Sequence, residues 1–295
     1  MFEEIIILGA FTSGTLALLA IGFSLIYGVA EVVNMAHGAL FMLGAYLYFF
    51  FTAPPPYPLQ LDVIPAIIIA VVVTAIIGAI IYRLTIDPII EDLVATLVVT
   101  VGIAIIIQQL MLIQFSATFR GLPNLVEGNQ VILGVTVSNS KILAFASSML
   151  IFACLYAFIA KIKIGTAMRA VAQDREVAML MGVNCERLCM LTMGISASIA
   201  AIAGILITTS TTGIAQPLMW QTPLYMSFAI VILGGLGSIK GSLIGAFIVG
   251  YTEIIFKYTV PGGSYLTGIV ALAVMTSVLL IRPKGLFGKR VEMED

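Results

Sequence analysis

Long apolar runs separated by brief polar punctuation set the pattern of this chain. A hydrocarbon core about 30 Å thick is crossed by about 20 apolar residues of α-helix. By that measure residues 5–29, 32–53, 63–82, 93–115, 141–160, 188–210, 222–236, 241–257 and 265–281 are predicted crossings. The seventh and eighth runs are short and are separated by GLGSIKG at 235–241. They read as two spans or as a re-entrant hairpin of half-helices. Pro54, Pro55, Pro56 and Pro58 close the second run, because proline offers no N–H to a helix. The fold predicted from this pattern is all-α: a polytopic membrane protein of about 8–10 transmembrane helices with broken or re-entrant elements. It forms one transmembrane domain over residues 1–295.

Composition agrees. The chain is 61% hydrophobic and 10% charged, against about 25% charged in a soluble domain. A net charge of −1 argues for no nucleic-acid partner. Charge distribution says more. With the N-terminus outside and nine crossings, Arg83, Lys161, Lys163, Arg169, Arg175, Arg187, Lys240, Arg282, Lys284, Lys289 and Arg290 fall inside, and Arg120, Lys141 and Lys257 outside. Lysine and arginine concentrate on the cytoplasmic side, so N-out, C-in is the predicted orientation. The count does not separate nine crossings from seven plus a hairpin. Glu3 and Glu4 replace the basic start of a signal peptide, and the first run reads as a retained membrane helix. Cys185 and Cys189 share a helical face with no histidine to complete a metal site, so they and Cys154 read as free thiols.

Two segments lie between spans with substance of their own. Residues 116–140 contain the β-rich VILGVTV and read as an external loop with a short hairpin. Residues 161–187, KIKIGTAMRAVAQDREVAMLMGVNCER, hold five of the fourteen basic residues. Ala167, Ala170, Val171, Val177, Ala178 and Met181 recur near helical spacing, predicting one amphipathic helix from Thr166 to Met181 that stops at Gly182. It is either a solvated loop made basic to fix topology or a docking helix for a cytosolic partner.

Polar residues inside the apolar runs are the candidates for chemistry. Glu31, Asn34 and His37 are spaced three apart in EVVNMAHGAL, which predicts one shared helical face. They either fix a joint between the first two spans, or line the inner part of a path or contact the 161–187 loop, and Gly38 and Gly44 thin the helix for close approach. Thr96 and Thr100 share a face of the fourth span. Gln108 and Gln109 sit in the same span, where an amide bonds across helices or faces a wet cavity. Gly234, Gly235, Gly237, Gly241 and Gly245 cluster in the seventh and eighth runs. They serve tight packing in lipid or a gate on the path. Glu253 is close enough to Lys257 to pair at i, i+4. No array of buried carboxylates crosses the membrane, which counts against a proton-coupled carrier. A single histidine, with no metal-ligand cluster, counts against a membrane enzyme.

Three stretches carry a family resemblance. GTAMRAVAQD (165–174), followed by Ala178 and Gly182-Val183-Asn184, resembles the coupling loop of ABC importer permeases. It resembles most closely the branched-chain amino acid permeases, with their Ala-x-Ala-x-Asp pattern. GVAEVVNMAHGALFMLGAY (28–46) and LGGLGSIKGSLIGA (233–246) are similar to the same subfamily. Urea and short-amide permeases share these motifs, so a related importer for those solutes is the alternative. An ATP-independent channel or carrier would leave the cytosolic helix unexplained. The resemblance implies coupling to an ATPase through Arg169, Ala170, Ala172, Asp174, Ala178 and Gly182. Within the 28–46 motif, Asn34, His37 and Gly38 are candidates for a path or helix joint, and the mid-span amides Gln108 and Gln109 join them on the residue reading alone. The resemblance implies a prokaryotic cell membrane (inner membrane) location and a complex with a second homologous permease, two cytosolic ATPases and an extracellular solute-binding protein. The chain has no G-x-x-x-x-G-K-[ST] loop. ATP is therefore expected to be used by partner subunits, with no cofactor bound here.

Overall fold

The computed structural model describes residues 2–55, 57, 59–263, 267–282 and 285–287. Pro56, Pro58, Lys284, Lys289, Arg290 and residues 265–266 of the last expected span lie outside the described residues. The chain folds as an all-α bundle with two small β ribbons. Among the described residues six helices are long and apolar enough to cross a membrane: α1 (Phe2–Ala30), α3 (Val63–Ile81, continued by a π turn to Ile86 and a 3-10 turn to Ile89), α4 (Leu93–Phe115), α5 (Asn139–Lys161), α8 (Cys185–Thr211) and α10 (Ile239–Thr259). Three apolar helices are shorter: α2 (His37–Thr52), α9 (Gln221–Gly234) and α11 (Thr267–Ile281).

Loops gather at two opposite ends. At one end, β2 (Asn129–Ile132) and β3 (Val135–Ser138) form the expected hairpin. Its turn is made by Leu133 and Gly134, both at positive φ, as a tight two-residue hairpin requires. Val135 and Val137 pack on Ile7 of α1. The same end holds a second ribbon, in which β1 (Arg120–Gly121) pairs with β4 (Ile214–Ala215). At the other end lie the 82–92 turn, the 161–187 segment and the 235–238 turn. Helix starts there are capped by side chains that accept otherwise orphaned N–H groups. Asp92 Oδ1 accepts from Val94 and Ala95 at 2.9 and 3.0 Å, Asn184 Oδ1 from Arg187 at 3.0 Å, and Ser238 Oγ from Gly241 at 3.1 Å. Arg83 bridges Asp87 and Glu186, the latter at 2.9 Å, joining the 82–89 turn to the first turn of α8.

Helix α2 is the buried centre, with Leu40, Phe41, Met42, Tyr46 and Tyr48 all 2% exposed or less. Apolar side chains gain nothing by leaving lipid for another apolar surface, so close backbone approach has to hold the bundle together. Glycine and alanine supply it. A Cβ on Gly204 would strike the Phe41 carbonyl, one on Gly44 would strike Ala201, and one on Gly78 would strike Ala197. Helices α1 and α10 close in the same way where Gly250 rests on the Ser13 backbone.

Candidate functional site

The segment after α1 does not continue as helix. Glu31 takes a positive φ of 55°, and residues 31–36 run as a non-helical climb into the bundle. The expectation that Glu31, Asn34 and His37 share a helical face is therefore corrected. Glu31 is exposed, while Asn34 and His37 are fully buried at the start of α2. Asn34 competes with the helix for its own backbone: its Oδ1 accepts the Ala36 N–H at 3.0 Å, the local bonding that favours a turn. Its carbonyl accepts the His37 N–H at 3.2 Å. Thr100 of α4 takes the Met35 N–H at 3.2 Å. Two N–H groups of the joint, those of Met35 and Ala36, are thus taken by side chains from inside the bundle, since hydrocarbon offers backbone no partner.

His37 sets the depth. Its Nε2 lies 3.0 Å from the Leu19 carbonyl, and a carbonyl can only accept, so Nε2 carries the proton. Leu19 is eleven residues before the end of α1, or about 16 Å at 1.5 Å per residue. Helix α2 therefore begins well inside the bundle. So does α9. Trp220, at its start, donates Nε1–H to Gln108 Oε1 at 2.6 Å, and Gln108 is seven residues from the end of α4, roughly 10 Å. Gly38 lies directly against the Trp220 carbonyl and Leu224. Two short helices thus have their first turns in contact in mid-bundle and run to opposite ends. The chain reaches them through non-helical 31–36 from one side and 212–220 from the other. Gln109, one residue beyond Gln108, turns outward and is not brought to this joint.

The 161–187 segment is two helices, not the single helix expected over 166–181. Helix α6 (Lys163–Val171) ends, Ala172–Asp174 break the path, and α7 (Arg175–Leu180) follows. Asp174 causes the restart: its Oδ1 accepts the Val177 N–H at 2.9 Å, the bond of an N-cap. Gly182 stops the pair at φ 86°. Arg169 is exposed and reaches the Ala160 carbonyl at 3.3 Å. Ala178 is buried, and Ala170 and Ala172 are half-buried. Leu180 and Met181 at the tip are 87% and 80% exposed. Spacing alone missed this apolar tip, because the periodicity counted Met181 as inward.

The glycine turn meets both other motifs. Gly237 packs on Gly28, whose added Cβ would lie 3.0 Å from the Gly237 carbonyl. Gly234 and Gly241 touch backbone to backbone, a Cβ added to Gly245 would lie 2.7 Å from the Ile230 carbonyl, and Gly235 adopts φ 99°. Lys240 places its ammonium 5.4 Å from the Tyr156 ring centroid. A cavity of about 80 Å³ is lined by Gly28, Met168, Arg169, Ala172 and Gly237, one void shared by all three motifs. A second cavity, about 400 Å³, lies between Glu31, Glu91, Thr96 and residues 171–175. Residues 168–175 thus share cavities with the end of α1, with Glu31 and with Gly237. Among the described residues no group of three metal-ligating side chains occurs, and the three cysteines are free.

Comparison with known proteins gives the family. The family described as "Branched-chain amino acid transport system / permease component" matches residues 5–279. The high-affinity branched-chain amino acid transport system permease protein BraD of Pseudomonas aeruginosa is 30% identical over 95% of this chain and 94% of its own. The permease protein LivH of Escherichia coli K12 is 29% identical over the same shares. A probable LivH of Methanocaldococcus jannaschii is 31% identical over 45% of this chain and 44% of its own. No solved structure matches. Matched from residue 5 to residue 279, this chain belongs to the family of branched-chain amino acid transport permease components.

Proposed function

We propose that this chain is the permease subunit of an ATP-driven importer that carries branched-chain amino acids through a prokaryotic cell (inner) membrane. The observation that supports the reading is the α6–α7 projection: Leu180 and Met181 are bare at its tip, and its 168–175 stretch borders cavities that are also lined by the end of α1 and Glu31. Such a projection suits insertion into a cleft of a cytosolic ATPase. The chain crosses the membrane nine times, N-terminus outside and C-terminus inside. The charge bias and the gathering of loops at two ends support this. Helices α9 and α10 are two crossings, the first completed by non-helical 212–220. The chain moves solute and hydrolyses nothing. It works with a second homologous permease, two ATPases and a solute-binding protein, and the ATPases' closure shifts α6–α7 to alternate access.

The test is a reconstituted complex with its binding protein in liposomes. Leucine, isoleucine or valine raises ATP hydrolysis and is taken up. Leu180→Asp or Asp174→Arg leaves the chain in the membrane and removes the stimulation. Urea replacing leucine as the stimulating solute overturns the substrate. Uptake at the full rate without ATPase subunits overturns the coupling.

A further inference from the structure

The outer face of α4 holds a polar group that none of the described residues satisfies. Gln108 turns inward and bonds Trp220 at 2.6 Å. Gln109, about 100° further round the helix, is exposed and makes no hydrogen bond among the described residues. It lies six residues before Phe115, the last residue of α4, or about 9 Å below that end. Its side chain is too short to reach water from there. The exposed serines and threonines of other helices return a bond to their own backbone, as Ser147 does to Leu143 and Thr276 to Leu272. A glutamine amide has two N–H groups and a carbonyl to satisfy, and hydrocarbon satisfies none of them.

One heptad below on the same face stands Gly102, with no atom within 4 Å of where a Cβ would be. Most helical glycines of the chain touch a neighbouring element; this one opens outward. Between them Ile105 and Ile106 are 46% and 60% exposed. The lipid-type face looks different: on α3 the exposed residues Ile64, Ile68, Val72, Ile76 and Ile80 carry no polar group.

We propose that the Gly102–Gln109 face of α4 is where the second permease chain docks. The glycine admits a neighbouring helix closely, and the amide, donor and acceptor together, pairs with a polar group across it. In a two-fold pair the same face meets itself or its homologue. The pair then encloses Gln108, Trp220 and the meeting of α2 and α9, which places the mid-bundle joint at the seam between permeases. The proposal rests on the reading that the importer contains two permeases.

The test uses the full complex, purified from membranes. In a Cys154→Ser background, Gln109→Cys, Gly102→Cys and Ile76→Cys are each labelled with a benzophenone maleimide, illuminated and mapped by mass spectrometry. Positions 109 and 102 are expected to capture a permease chain, and position 76 lipid. A complex with two permeases in which position 109 captures lipid overturns the face alone. A complex with one permease chain overturns both the face and the assembly. Gln109→Leu supplies a second readout. Loss of one interhelical hydrogen bond in a membrane weakens pairing by about threefold to tenfold. Pairing unchanged or strengthened by Gln109→Leu overturns the proposal, because leucine suits lipid better than glutamine does.

Discussion

His37 is held by one bond, from Nε2 to the Leu19 carbonyl, while Nδ1 meets no partner. Its part is to pin the first turn of α2 to α1, and the pairing needs only an N–H at the Nε2 position. Glutamine carries its amide nitrogen near that point. His37→Gln is expected to keep uptake within about twofold and its pH profile unchanged. His37→Ala leaves a cavity and an unsatisfied joint, at a cost of roughly 3 kcal/mol; thermal unfolding of the two variants in detergent separates them. Gly38 is more stringent. A methyl there enters the Trp220 carbonyl, and the backbone is the part that cannot swing aside. Gly38→Ala is expected to cost about 1–3 kcal/mol and to reduce uptake, where Gly102→Ala leaves the fold of the single chain unchanged. Both polarity and glycine at 31–38 were legible from sequence. Their arrangement was not, because helical spacing presumes a helix. Glu31 leaves that geometry, and Asn34, a residue that bonds its own backbone, starts a new one.

At the scale of elements, ends are what sequence reads least well. The nine apolar runs and the hairpin at 129–138 were legible because hydrocarbon length and alternating valines each leave a clear period. The π turn at 82–86 left no such mark: Tyr82 and Ile86 are fully buried there by packing that is decided elsewhere in the bundle. Nor did the break in 161–187, where apolar positions on both sides of the gap kept helical register. Asp174 looked like a docking charge, and its Oδ1 proves to be the cap of α7. Two substitutions distinguish these roles. Asp174→Asn keeps a capping oxygen and drops the charge, so it is expected to retain most of the substrate-stimulated ATP hydrolysis. Gly182→Val forces a β-branched residue to φ 86°, costing about 1–2 kcal/mol at that residue, and is expected to abolish stimulation while the chain stays in the membrane. Full stimulation in Gly182→Val would mean that the shape of the tip does not matter to the ATPase.

For the whole molecule, the arrangement of ends makes one demand on topology. The hairpin packs on the start of α1, and at the far side residues 168–175 share one cavity with the 82–92 turn and another with the glycine turn. Each cluster must therefore lie wholly on one side of the membrane. The sign comes from charge, since the basic residues of 161–187 stay cytosolic. Single cysteines in the Cys154→Ser background test both statements. Gln130 lies on the exposed hairpin, Leu180 at the tip and Lys240 beside Tyr156. In intact cells a membrane-impermeant maleimide is expected to label Gln130→Cys, and to label Leu180→Cys and Lys240→Cys once the membrane is opened. The reverse pattern would invert the orientation and remove the ATPase from reach of α7. Labelling of Gln130→Cys and Lys240→Cys from the same side would mean that α9 and α10 turn back as a hairpin. The joint between α2 and α9 would then open to one side of the membrane and could not be the point that alternating access exposes to each side in turn.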